Sequence, residues 1–204
     1  MIMNRKVLLA ALLAVVTVFG ASAQKVVGDL SPLKGQTEIN LVLDFEGTMV
    51  SKGSVGIGMG KPISETEEKF VADAIKGKSE KDKENWLKEW NVTLRNDSYS
   101  VLTRDMNNHL KKKFSVGDYP DAEYTIVVKV TLIETCFSPI NKKASKVSAD
   151  VSFVKTGETS PFATVTYSRL SNPASAYAGY FIKQIAMSFG MVGMNLGKAV
   201  AKVK

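Results

Sequence analysis

Asp44 and Glu46 stand two residues apart at the end of an alternating segment. An extended backbone would carry both carboxylates on one face. Paired carboxylates can coordinate calcium or run glycosidic hydrolysis, and Glu134 is a further acid that a hydrolase could use. No other oxygen ligands and no aromatic-rich sugar cleft accompany them, so a solvated strand end is the plainer reading. His109, the single histidine, has neither ligand-spaced neighbours for a metal nor a nucleophile-elbow sequence for a triad, and it reads as a surface or boundary residue. The glycines at 53, 56, 58 and 60 follow a strand and precede a helix, as a phosphate cradle would. They lack the Lys-Ser/Thr ending, and Glu65, Glu67 and Glu68 just beyond would repel a phosphate. A loop over 47–60 that orders on a partner fits better. The sequence thus offers no catalytic, cofactor-binding or metal-ligating set.

Partner-binding candidates remain. Trp86 and Trp90 lie one helical turn apart and could form a carbohydrate or peptide platform, although a helical aromatic stripe also builds core. Lys142, Lys143 and Lys146 cluster at a turn. If the fold brings Lys111, Lys112 and Lys113 beside them, they make an anion-attracting patch; otherwise they are solvated charge. Cys136, the only cysteine, reads as a small buried hydrophobe at a strand end, with an intermolecular disulfide or reactive thiol as the alternative.

The elements that would position these residues follow from hydrophobic periodicity. Thr37–Phe45 alternates with Ile39, Leu41, Leu43 and Phe45 on one face, which predicts a first strand. Ser64-Glu65-Thr66-Glu67 has capping-box form and predicts a helix from about Glu65 to Ile75. Ser79 caps a second helix striped by Trp86, Leu87, Trp90 and Leu94, and a third stretch runs from about Asp97 to Lys113. From Ala122 the period becomes two. A strand to Cys136 places Tyr124, Ile126, Val128, Val130 and Leu132 together, and strands over 146–155 and 162–169 complete an antiparallel meander. Ala174–Lys204 reads as a closing helix whose Gly190, Gly193 and Gly197 let it lie close on the sheet. Met187, Met191 and Met194 on that helix offer a minority surface for membrane contact. The order β-α-α(-α)-β-β-β-α predicts an α+β fold with a mixed four-stranded sheet and helices packed on one face.

Residues 1–23 carry a basic start at Arg5 and Lys6, an apolar run from Val7 to Phe19 and a small-x-small end at Ala21-Ser22-Ala23. That is the grammar of a cleavable export signal, and the run is too short to span a membrane at ~1.5 Å per residue across ~30 Å. Cleavage before Gln24 removes two of the 27 basic residues and none of the 20 acids, so the net charge falls from +7 to +5. No cysteine follows the cleavage point, which disfavours a lipid anchor. A flexible leader over 24–36 and a single α+β domain over 37–204 are expected, without internal disulfides. The modest charge suits envelope partners, and no basic-aromatic motif suggests nucleic acid.

Asp121-Ala-Glu-Tyr-Thr-Ile-Val-Val-Lys-Val and Gly193-Met-Asn-Leu-Gly-Lys-Ala resemble stretches of small exported bacterial proteins of unassigned function. The element order is also similar to the α/β module at the N-terminus of TolB. These resemblances imply a periplasmic or extracellular binding or assembly role. The resulting expectation is a non-enzymatic envelope protein that binds an unknown protein, glycan or lipid partner and has no cofactor and no transmembrane segment in the mature chain. The alternatives are a hydrolase of envelope polymers and a peripheral membrane-surface protein.

Overall fold

A computed structural model describes residues 25–52, 64–110, 113–135, 144–177 and 180–203. The expected export signal, the glycines at 53–60, Lys111, Lys112, Cys136, Lys142 and Lys143 lie outside the described residues. The fold is α+β, but its sheet is larger than the four strands expected, with eight among the described residues. In chain order these are β1 (Val27–Gly28), β2 (Glu38–Asp44), β3 (Met49–Lys52), β4 (Ser64–Thr66), β5 (Ser115–Gly117), β6 (Tyr124–Thr135), β7 (Lys146–Lys155) and β8 (Ala163–Leu170). They run β1-β8-β7-β6-β2-β5 across the sheet, with β3 also on β6 and β4 on β3. The expected meander β6-β7-β8 is antiparallel, whereas β2 and β3 both run parallel to β6.

The additional strands are short and depend on long-range pairing. Gly47, at φ +73°, turns the chain after β2, and Met49–Lys52 then continues beside Leu132–Thr135. This strand falls within the span expected as a loop. The leader is likewise tied to the sheet: β1 pairs with β8, and Leu33 from a 3₁₀ turn at Ser31–Leu33 is buried in the core.

Four helices are described: α1 (Glu67–Ile75), α2 (Glu80–Lys88), α3 (Leu94–His109) and α4 (Phe181–Val200). Thr66, and not Ser64, caps α1; its hydroxyl accepts from Lys69 N, while Ser64 belongs to β4. The second and third helical stretches are joined by a wider π-type turn, Glu89–Thr93, that carries Trp90 into the core. The closing helix starts at Phe181, after a 3₁₀ turn at Pro173–Tyr177.

Ile126, Val128 and Val130 of β6 face the same core as Val147, Ala149, Val151 and Phe153 of β7. A bulge at Thr131 then resets the alternation. Ile133 becomes the buried residue, and Leu132, expected on the inner face, is only partly covered. Ile182, Ile185, Phe189, Val192, Leu196 and Val200 of α4 fill the other side of that core. The glycine stripe of α4 lies against α3, and not on the sheet as expected. A Cβ on Gly193 would stand 2.2 Å from Leu102 O, and one on Gly197 2.5 Å from Met106 O.

Candidate functional site

Where β2 ends, the chain opens a cleft of about 600 Å³ lined by Val42, Leu43, Asp44, Phe45, Glu46, Arg95, Asn96 and Tyr99. Alternation places Leu41 and Phe45 in the core and turns Val42 outward, 41% exposed. Asp44 Oδ1 accepts the Glu46 amide at 2.8 Å, an Asx turn that puts both carboxylates on the same wall. The facing wall is the first turns of α3. Its Arg95 guanidinium sits 4.7 Å above the Phe45 ring and donates to Trp90 O at 2.9 Å and to Glu67 Oε1 at 2.7 Å. Glu67 Oε1 also accepts the Trp90 indole N–H at 2.6 Å. Arg95 is therefore held in place by groups behind the cleft.

Tyr99 closes one side. Its hydroxyl is buried without a hydrogen-bond partner among the described residues, and burial, reinforced by Asp118 and Tyr119, raises the phenol above its ordinary range. It stays a neutral phenol at physiological pH, with a donor unspent. Apolar wall, fixed guanidinium and paired carboxylates together make a surface able to hold a ligand.

The sequence candidates fare unequally in position. Trp90 is fully buried and stacks at 5.5 Å on Trp86, which is partly buried; Phe70 and Phe181 join them. This stripe is an edge of the core. Lys146 lies opposite Glu134 in the β6–β7 ladder, its Nζ 3.9 Å from the Glu134 carboxylate. Lys113 Nζ donates to Ala201 O and Val203 O at 2.8 and 2.6 Å, and so closes the C-terminal end of α4 instead of joining a patch with Lys146. His109 Nδ1 is 2.9 Å from Asp105 O within its own helix. Among the described residues no group of three His, Cys, Asp or Glu could hold a metal ion, and no helix is long and apolar enough to cross a membrane.

The sequence pointed to Asp44 and Glu46 but not to Val42, Arg95, Asn96 or Tyr99 as their companions. Arg95 and Tyr99 lie four apart on α3, and the helical period groups them; nothing local pairs that face with β2. No protein-family model, curated protein or solved structure matches the chain.

Proposed function

We propose that the protein is an exported, non-enzymatic component of the cell envelope that works by binding a protein, glycan or lipid partner in the cleft between β2 and α3. The observation that carries this reading is the cleft itself, whose apolar and charged groups converge on one space while its guanidinium is already fixed from behind. The export grammar of residues 1–23 supports the compartment. A glycosidic mechanism would call for carboxyls facing each other across a gap, about 5–9 Å apart. Asp44 and Glu46 instead stand side by side, opposite Arg95, Asn96 and Tyr99.

Photocrosslinking in the native cell tests this. A photoreactive residue replacing exposed Asn96 should give an envelope adduct that the same group at exposed Lys81 does not, and Val42→Arg should abolish it. Equal adducts from both positions would overturn the cleft as binding site. The mature N-terminus should be Gln24; an intact Met1 in the functional pool would overturn export.

A further inference from the structure

Beside the cleft, the outermost strand position of the sheet is occupied by no strand among the described residues. β5 flanks only Glu38–Asn40, and β4 flanks only Met49–Ser51. The stretch 41–46 between them meets no outer strand among the described residues. Ser115 N donates to Thr37 O at 2.8 Å, so the odd-numbered residues of β2 turn their main-chain groups toward this side. By that alternation the Leu41 carbonyl and both the N–H and C=O of Leu43 face the gap. At about 3.3 Å per residue, roughly six residues of extended chain fit there. A strand edge of this kind is a template for another strand.

We infer that the gap is a strand-addition site for an extended segment of a partner protein that carries an apolar and a basic residue two positions apart. This rests on the binding reading above and names the partner's class. The side-chain preference comes from rows that cross the open face of the sheet. Asp44 is in register with Lys129, Lys129 with Asp150, and Asp150 with Thr166, whose hydroxyl donates to Asp150 Oδ1 at 2.7 Å. The charges alternate along that row, so the next place outward from Asp44 suits a cation, and Glu46 adds to the field. The adjacent row is Val42, Val127, Ser152 and Thr164. The place outward from exposed Val42 suits an apolar side chain. The residue between them would point toward Leu43 and Tyr99, where space favours a small neutral side chain. Main-chain hydrogen bonds would supply affinity and the alternate side chains selectivity. A second copy docked edge to edge would bring two Asp44–Glu46 pairs together, an unfavourable meeting of like charges.

The probe is the blocked pentapeptide Thr-Val-Ala-Lys-Thr, with Thr-Val-Ala-Glu-Thr as its counterpart, titrated calorimetrically at low salt. The lysine peptide should bind at least about tenfold more tightly, Asp44→Lys should reverse the order, and the Leu43 amide should exchange more slowly in the complex. N-methylation of alternate peptide amides should abolish binding in one phase and spare it in the other. Equal affinities, indifference to Asp44→Lys, or tolerance of both methylation phases would overturn strand addition. So would a concentration-dependent dimer that protects Leu43 without peptide, which would make a second copy the occupant. Loss of peptide binding with a persistent Asn96 crosslink would overturn this inference and leave the broader binding reading standing; loss of both would overturn the two together.

Discussion

Glu134 is 5% exposed, and the Arg169 guanidinium pairs with it, Nη2 donating to one carboxylate oxygen at 2.9 Å and Nε standing 2.9 Å from the other. A carboxylate so placed needs its partner, because desolvation without compensation is costly. Reaching it requires an unusual backbone. Between Val147 and Ala149 of β7, the partner strand β8 moves three residues, from Leu170 to Tyr167, and Arg169 adopts φ +53° in the resulting bulge. Its amide is held by Ser148 Oγ at 2.9 Å. The left-handed conformation costs a non-glycine residue about 1 kcal/mol. Arg169→Ala should therefore lower stability in urea titration by about 3 kcal/mol, since it leaves the buried acid only the Lys146 ammonium, 3.9 Å away. Arg169→Gly loses the same guanidinium but relieves the backbone, and should lose only about 2 kcal/mol. If glycine proves the worse of the two, backbone strain at this bulge is not what separates them.

At the scale of elements, α4 lies main chain against main chain on α3 at its glycines. In a solvated helix alanine is better than glycine by about 1 kcal/mol. At Gly193 the order should invert, because a Cβ there would stand 2.2 Å from the Leu102 carbonyl oxygen and 3.0 Å from its carbon, main-chain atoms of a packed helix that cannot rotate away. Gly193→Ala should cost about 3 kcal/mol, read as a lower urea midpoint. A neutral or stabilising result would mean the two helices can separate without penalty. The Gly-x-x-x-Gly spacing of Gly193 and Gly197 was plain in the sequence, and so was the small face it gives the helix. What lay opposite was not, because spacing within one helix carries no information about the neighbour. The bulge at Thr131 was hidden for a related reason. Tyr124 to Leu132 alternates without interruption, and only the β6–β7 register moves Ile133 inward in place of Leu132.

Across the whole molecule, the helices cover one face of the sheet and leave Val42, Lys129, Asp150 and Thr166 on the other. The alternation of 146–155 already separated Val147, Ala149, Val151 and Phe153 from their polar neighbours, so the core of this half was legible. The cleft was not. It exists because β5 stops at Gly117 beside Asn40 and β4 ends at Thr66 beside Met49, facts of tertiary pairing that neither three-residue strand announces locally. The helix-covered core also sets the molecule's response to alkali. Tyr167 of β8 is almost fully buried, and burial raises its phenol far above the ordinary value near 10. The folded chain thus keeps a proton that the unfolded chain gives up. Stability from this group is complete below about pH 10 and declines as pH rises beyond it, because the unfolded state then binds fewer protons than the native one. Tyr167→Phe removes that coupling. In a fluorescence-monitored alkaline titration the variant should unfold at a higher pH than the wild type, even if the lost hydroxyl leaves its stability at pH 7 a little changed. An unchanged alkaline midpoint would assign the transition to other groups and would imply that Tyr167 reaches solvent before the sheet and its helices separate.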